Sequence, residues 1–263
     1  MCRDRSLAGQ TVLIRAVEFR LLGAIEAVRG GRVLPLGGKQ ARALLAILLL
    51  HARQARSVDQ LIEDLWADRA PATARSAFHN LTSGLRRTLG PGLLESAHGM
   101  YVLRVDGDRI DACRFEQLVE QAAAEHGEEK RRTLETALAL WRGSALADVR
   151  YDEFAQPAIQ RFEELRVTAQ EDLVAVKLDL GDAHAVVAEL QLLVATHPFR
   201  ERLRMQLMLA LHRSGRTVEA VTAFVEWRRL LIESWGLEPG AAIRELCDEI
   251  RGRAPMLDLE GVA

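Results

Sequence analysis

The sequence has few cysteines, and their spacing suits neither a metal site nor a disulfide framework. Its three cysteines, Cys2, Cys113 and Cys247, lie far apart and form no C-x-x-C pair. An odd, sparse set of this kind is typical of a reducing compartment. The seven histidines are scattered and build no H-E-x-x-H motif or Cys/His cluster. We therefore predict no metal site and no cofactor.

Long apolar runs and phosphate-binding loops are missing as well. The longest apolar run, residues 43–50, is far too short to cross a bilayer, and the N-terminus lacks the apolar core of a signal peptide. The Gly-Gly-Lys stretch at 37–39 is followed by Gln40, where a phosphate loop requires Ser or Thr. The sequence therefore predicts a cytoplasmic protein that makes no membrane contact and is not an enzyme.

The sequence does contain an uneven distribution of charge. Residues 1–107 carry 15 Lys and Arg against 9 Asp and Glu, a net charge of +6. Residues 108–263 carry 20 against 28, a net charge of −8, so the overall value of −2 conceals two unlike parts. A basic part joined to an acidic part predicts that only the first part contacts a polyanion.

The basic part begins with strand-like patterns and continues with helical ones. Short β-compatible runs surround Gly30-Gly31, which predicts a hairpin because its turn needs positive φ. From residue 39 to residue 52 the apolar spacing is helical. Ser57 with Gln60 predicts a capping box at the start of a second helix.

Residues 73–90, TARSAFHNLTSGLRRTLG, predict a third helix with two unlike faces. One face is an apolar stripe suited to packing: Ala74, Phe78, Leu81, Leu85 and Leu89. The other face carries seven side chains that can donate hydrogen bonds, and none is a carboxylate: Arg75, Ser76, His79, Asn80, Ser83, Arg86 and Arg87. Solvated helix faces usually mix both charges, so this composition modestly favours a nucleic-acid contact.

A hairpin around His98-Gly99 follows the third helix. Strands, three helices and a hairpin in that order are typical of a winged helix-turn-helix, whose third helix enters the major groove and whose hairpin is the wing. Ser57 and His98 complete the candidate DNA-binding residues; Ser57 is first of all a helix cap. Arg86 lies nearer the apolar edge, so bracing the sheet is an alternative to contacting DNA. Tyr101 is expected to pack the hairpin.

The acidic part is predicted to be almost entirely amphipathic helix. Gly181 and Gly215 lie 34 residues apart, the tetratricopeptide period, and in that register Ala220 and Phe224 take the small and aromatic packing positions. Core or helix-junction packing is expected for all four tryptophans: Trp66, Trp141, Trp227 and Trp235. The fold class is therefore mainly α, a winged helix-turn-helix followed by tetratricopeptide-like helices. The predicted divisions are a tail at 1–15, a DNA-binding domain at 16–108, a helical domain at 111–255 and a tail at 256–263.

Motifs along both parts resemble those of the Streptomyces antibiotic regulatory proteins. They cover roughly residues 17–252 and include FRLLG at 19–23, LGGKQARALLAILLLHA at 36–52, LIEDLW at 61–66, PATARSAF at 71–78, LRRTLG at 85–90, LALWRGSALADV at 138–149, HPFRERLRMQLMLALHRSGR at 197–216 and GLEPGAAIREL at 236–246. The resemblance implies an OmpR-like DNA-binding domain followed by a bacterial transcriptional activation domain. It also implies a regulator of an antibiotic gene cluster that binds direct repeats in double-stranded promoter DNA, as a homodimer, and recruits RNA polymerase holoenzyme.

Three positions depart from the family pattern. Gly84 stands where many members carry a basic residue, so a phosphate contact is missing and the helix is weakened there. LGGKQAR replaces the family's LGGPKQR, and Met100-Tyr101 replaces Gly-Tyr in the wing. The chain resembles the short members, which lack the ATPase module of larger relatives.

Two other functions compete with DNA-dependent activation. The chain could be a tetratricopeptide-type interaction or ligand-sensing module without DNA readout, although the charge division argues against it. An enzyme finds no support in any nucleophile–base pair, metal spacing or cofactor loop. Under the leading hypothesis, a fragment of residues 11–110 is expected to fold and to recognise its site.

Overall fold

The computed structural model describes residues 16–253 and contains ten α-helices and two small sheets within that range. The two predicted tails, at 1–15 and 256–263, lie outside the described residues. The N-terminal elements are β1 (Val17–Arg20), β2 (Glu26–Arg29), β3 (Arg32–Val33), α1 (Lys39–Leu50), β4 (Arg56–Ser57), α2 (Val58–Trp66), α3 (Ala74–Leu89), β5 (Leu94–Ala97) and β6 (Met100–Leu103). The helices that follow are α4 (Asp111–Ala123), α5 (Gly127–Leu138), α6 (Gln156–Asp179), α7 (Ala183–Thr196), α8 (Glu201–Arg213), α9 (Thr217–Trp235) and α10 (Ala241–Arg253). The chain is thus mainly helical, with its sheets near the N-terminus.

The first sheet is an antiparallel meander in the order β1-β2-β3. Its β2–β3 turn contains Gly30 (φ 59°) and Gly31 (φ 81°), which confirms the predicted hairpin. Along β1, Val17 and Phe19 are buried and Glu18 between them is exposed, the alternation expected of a strand with one face on a core.

Three helices pack on one another behind this sheet. Eight of the twelve residues of α1 are buried, so this helix forms the centre against which α2 and α3 pack. The predicted capping box of α2 is confirmed: Gln60 N–H donates to Ser57 Oγ (3.2 Å), and Ser57 N–H donates to Gln60 Oε1 (3.0 Å). These two bonds satisfy amide groups that a helix start leaves without partners.

The packed face of α3 differs from the prediction at one position. Ala74, Phe78, Leu85 and Leu89 are buried as predicted, but Leu81 is only half-buried and Thr82 takes the core position. Thr82 is 1% exposed, and its hydroxyl donates to the backbone carbonyl of His79 (3.0 Å). Because this bond satisfies the hydroxyl, Thr82 can be buried at little cost.

The second sheet has the order β4-β6-β5 and contains the predicted hairpin. His98 (φ 51°) and Gly99 (φ 74°) form the turn between β5 and β6, so the two strands and their turn are confirmed. Strand β4, just ahead of α2, pairs with β6 through Arg56 opposite Tyr101 and Ser57 opposite Met100. The hairpin is therefore tied to the start of α2.

The described chain forms two compact units, and the first includes a segment that is distant in sequence. Unit 1 contains the residues up to Gln117 together with Ala139–Glu163, and unit 2 contains Leu118–Leu138 and the residues from Glu164 onward. Within Ala139–Glu163, residues up to 155 form loops and two short 3-10 helices, Ala147–Val149 and Glu153–Ala155. The buried residues of this stretch complete the core of unit 1: Ala145, Leu146, Val149 and Ala155.

The carboxylates of Asp111, at the start of α4, and of Asp148, in the distant segment, bind the backbone between β1 and β2. Leu21 N–H and Leu22 N–H donate to the two oxygens of Asp111 (2.6 and 3.2 Å), and Ile25 N–H donates to Asp148 (2.6 Å). Burial raises the pKa of Asp111, while these amides and the charge of Arg142 act to lower it. The segment is therefore bonded into unit 1 by its backbone and side chains.

Unit 2 contains helix pairs whose turns fall where the sequence places them. Gly181 (φ 92°) lies between α6 and α7, and Gly215 (φ 78°) lies between α8 and α9. Ala220 and Phe224 are buried in the core of this unit. The 34-residue spacing thus separates equivalent turns of successive helix pairs, while assignment to the tetratricopeptide class stays a prediction.

The four tryptophans do not all pack as predicted. Trp227 is 2% exposed, and its indole N–H donates to the carbonyl of Pro198 (2.9 Å). Trp235 is 65% exposed, so the core alternative is wrong for it. As the last residue of α9, Trp235 sets its ring edge-on against Phe199 instead of entering the core.

Between residues 16 and 253, no helix is long and apolar enough to cross a membrane.

Candidate nucleic-acid interface

The exposed face of α3 is polar, extended and free of carboxylates of its own. The exposed residues are six of the predicted candidates: Arg75, Ser76, His79, Asn80, Ser83 and Arg87. From the first to the last of them the helix rises roughly 18 Å. A face of this length suits the B-DNA major groove, which is about 12 Å wide and admits an α-helix. The opposite face of α3 packs on α1 and α2, so the polar face is the solvent-exposed side of a packed helix.

Arg75 has a neighbour that the periodicity of α3 could not reveal. Its guanidinium pairs with Asp59 in the first turn of α2 at 2.5 Å, and both side chains are largely exposed. The Asp59 carboxylate also suits the positive end of the α2 dipole. The face formed in three dimensions therefore has one acidic group at its edge.

Arg86 and Arg87 have different surroundings although they are adjacent in sequence. Arg87 is exposed, and no acceptor among the described residues contacts its guanidinium. Arg86 is half-buried and donates to the Leu94 carbonyl (3.1 Å) and to Ser96 Oγ (2.7 Å). The alternative that Arg86 braces the sheet is thus observed, while its direct contact with DNA stays a prediction.

The hairpin presents His98 at its tip and holds Tyr101 inside. His98 is exposed in the left-handed region, and the following Gly99 carbonyl accepts from Val58 N–H (3.1 Å). Tyr101 is 5% exposed and meets the Phe78 ring edge-on, with centroids 5.1 Å apart. The prediction that Tyr101 packs the hairpin is confirmed, and the departure at Met100-Tyr101 leaves a regular two-residue turn.

Ser57 lies where β4 passes into α2, beside this hairpin. Its Oγ accepts from Gln60 as a helix cap, and its hydroxyl hydrogen remains able to donate. The Val58 amide beside it is already used by Gly99. Ser57 thus has a confirmed structural role, and its contact with a phosphate stays a prediction.

Gly84 is a further point on α3 where a side chain is missing. A Cβ built there would meet no atom within 4 Å, and the backbone is helical. A β-carbon therefore fits at this position without any movement of the chain. The glycine here removes a charge rather than relieving a clash.

Across residues 16–253, no group of three His, Cys, Asp or Glu side chains is placed to hold a metal ion.

Comparison with known proteins agrees with this architecture. Residues 110–251 match the family described as bacterial transcriptional activator domain. The regulatory protein AfsR of Streptomyces coelicolor is 38% identical over 247 residues, which are 92% of this chain and 25% of AfsR. The chain therefore spans about a quarter of the length of AfsR.

Two further relatives correspond over more of their own length. The regulatory protein DnrI of Streptomyces peucetius is 32% identical over 260 residues, which are 93% of this chain and 96% of DnrI. A solved structure of Mycobacterium tuberculosis EmbR, in complex with a low-affinity phosphopeptide, superposes with a TM-score of 0.84 at 32% identity. It covers 92% of this chain and 66% of the EmbR chain. The chain accordingly belongs to the Streptomyces antibiotic regulatory protein family of transcriptional regulators.

Proposed function

We propose that the chain is a sequence-specific DNA-binding transcriptional activator that inserts α3 into the major groove and sets the β5–β6 hairpin beside it as a wing. The single observation that carries the proposal is the exposed, carboxylate-free donor face of α3 on a helix packed through its other side. Donors on such a face match phosphate oxygens and the acceptor-rich edges of bases.

The residues of this face have different proposed roles. Arg87, whose exposed guanidinium has no partner in the described part of the chain, contacts a phosphate. Asn80 makes a bidentate contact with adenine, the pairing its amide suits best, and His79 contacts a neighbouring base edge. Ser76, Ser83 and Arg75 position the helix on the sugar–phosphate backbone, with Ser57 and His98 contacting the backbone at the flanks.

The wider biological role rests on the family. We propose that the chain binds direct repeats at promoters, with two copies side by side, and recruits RNA polymerase holoenzyme to a secondary-metabolite gene cluster. Support comes from the names of AfsR and DnrI as regulatory proteins and from the match to a transcriptional activator domain. Each predicted domain has its own proposed partner: residues 16–108 contact DNA, and residues 111–255 contact the transcription machinery.

The experiment that tests DNA readout uses the full chain and Asn80→Ala. A site is selected from a random DNA pool by each protein, and the preferred sequences are compared. Asn80→Ala should lose preference at one base pair of each repeat, because a good bidentate contact provides about 1–3 kcal/mol of discrimination. The Ser83→Ala variant, which removes only a proposed backbone contact, should keep the preferred sequence. An unaltered preference in Asn80→Ala would leave Asn80 as a solvent-facing residue.

Restoring the missing basic residue should strengthen binding. Gly84→Arg should tighten binding to all DNA sequences and steepen the dependence of log K on log salt concentration by about one unit, as expected for one added phosphate contact. Gly84→Ala is the matched control, since it raises helix stability by about 0.5–1 kcal/mol without adding charge. Equal salt slopes for Gly84→Arg and Gly84→Ala would exclude a phosphate near this position.

A protein-interaction role for unit 2 has support of its own. Large apolar side chains along α9 and just after it are exposed, among them Val218 (80%), Val225 (52%) and Trp235 (65%). Exposed apolar residues in such a concentration are common at protein interaction sites. Contact with the transcription machinery would use such a surface, and so would the alternative function as an interaction module without DNA readout.

A further inference from the structure

We propose that Arg86 is a positioning residue that fastens the wing to the recognition helix and does not itself contact DNA. The inference rests on the proposed function, which assigns α3 to the major groove and the β5–β6 hairpin to the wing. It gives different roles to Arg86 and Arg87, which are adjacent, carry the same charge and lie in the same turn of α3.

The side chain of Arg86 spans from α3 to β5. Its Nε donates to the Leu94 carbonyl at 3.1 Å, and its Nη2 donates to Ser96 Oγ at 2.7 Å. The guanidinium carbon also lies 5.5 Å from the centroid of the Tyr101 ring on β6. One guanidinium cation therefore contacts a carbonyl and a hydroxyl of β5 and an aromatic ring of β6.

Strand β5 depends on this contact more than β6 does. In the sheet order β4-β6-β5, β6 is paired on both sides, whereas β5 is an edge strand paired only with β6. Strand β6 is also anchored by Tyr101 against Phe78, and the turn by the Gly99 carbonyl. Among the described residues, the two hydrogen bonds from Arg86 are the only ones between α3 and β5. Besides the buried Leu94 side chain and the pairing with β6, the hydrogen bonds from Arg86 thus hold β5 to α3.

The geometry of the bonds requires an arginine. Two donors on one rigid fork reach a backbone carbonyl and a hydroxyl at once, and the guanidinium cation lies over the Tyr101 ring. A lysine at this position would keep the positive charge but provide one flexible ammonium group. A phosphate contact that depends only on charge, in contrast, is largely preserved when arginine becomes lysine.

Arg87 is the matched control for these two properties. It follows Arg86 in the last turn of α3, carries the same charge and is exposed without a described partner. Arg87→Lys should bind DNA almost as the unaltered chain does, whereas Arg87→Ala should bind more weakly. Arg86→Lys should behave like Arg86→Ala.

The first experiment uses the full chain without DNA. Hydrogen exchange of the β5 and β6 amides should become about tenfold faster or more in both Arg86→Ala and Arg86→Lys. In these variants, the local opening that permits exchange no longer has to break the two hydrogen bonds made by Arg86. Exchange in α1 should stay unchanged, which excludes general unfolding, and Arg87→Ala should leave the wing amides as they were. Unchanged wing exchange in Arg86→Ala would overturn the proposal whether or not the chain binds DNA.

The second experiment uses a duplex that carries the site selected by the unaltered chain. Hydroxyl-radical footprints of Arg86→Lys should lose protection beside the wing and keep protection where α3 lies. Affinity should fall about tenfold in Arg86→Lys but less than about threefold in Arg87→Lys. Full affinity and a full footprint in Arg86→Lys would overturn the positioning role. If the unaltered chain selects no site at all, the proposed DNA function fails, while the exchange experiment still decides whether Arg86 holds the wing.

Discussion

A fragment of residues 16–110 is expected to be largely unfolded, whereas a fragment of residues 16–163 is expected to fold around the core of unit 1. The shorter fragment contains the two sheets and the first three helices. It lacks Ala139–Glu163 and the start of α4, which belong to the same compact unit. The sequence pattern predicts the opposite for residues 11–110, because it does not reveal that a segment far along the chain completes this core.

The expected loss follows from the backbone bonds between β1 and β2. Without Asp111 and Asp148, the amides of Leu21, Leu22 and Ile25 lose carboxylate acceptors. Hydrogen bonds to charged groups contribute about 1.5–3 kcal/mol each. Three of them are comparable to the whole stability of a small domain, about 5–15 kcal/mol, before the lost apolar contacts are counted.

Amide–nitrogen NMR spectra and thermal unfolding of the two fragments provide the measurement. The fragment of residues 16–163 should give dispersed signals and a cooperative transition; the fragment of residues 16–110 should give neither. In the full chain, Asp148→Ala should lower the melting temperature, and Asp152→Ala, which removes only the exposed ion pair with Lys39, should scarcely change it. A cooperative transition in the shorter fragment, at the temperature of the longer one, would show that the distant segment is dispensable.

Trp227→Ala is expected to destabilise unit 2 by about 3–5 kcal/mol, the usual range when a large buried aromatic side chain is truncated. Trp227 is 2% exposed within the core of this unit, and its indole N–H donates to the Pro198 carbonyl that links α7 and α8. The substitution leaves a cavity and removes one of the two donors to that carbonyl, the other being the Arg204 guanidinium.

Trp235→Ala on the same helix is the control. Its side chain is 65% exposed and contacts Phe199 edge-on, so its loss should cost less than about 1.5 kcal/mol, the value of one aromatic pair. Urea denaturation followed by the helical signal of the full chain compares the two variants. Similar midpoints for Trp227→Ala and Trp235→Ala would mean that burial of Trp227 contributes little to this unit.

Local features of the fold could be predicted because their chemistry is complete within a few residues. The capping box joins Ser57 to Gln60, and the two hairpin turns need only Gly30-Gly31 and His98-Gly99 with positive φ. The exposed face of α3 follows from helical periodicity alone. Even there, periodicity did not reveal that Thr82 is buried in the packed face and that Leu81 is only half-buried. That difference depends on which residues of other helices lie opposite.

The amino-acid sequence by itself determined the order of elements, the division into basic and acidic parts, and the donor face of α3. Only the tertiary structure decided the partners of the arginines and the extent of unit 1. Arg86 bonds to β5 while Arg87 meets no acceptor among residues 16–253, and Ile25 bonds to Asp148 across 123 residues. A helical pattern specifies which face of the helix is apolar. The acceptor that a polar side chain meets, however, comes from whichever distant segment the fold brings near. Side-chain partners and long-range backbone bonds are therefore properties of the packed chain.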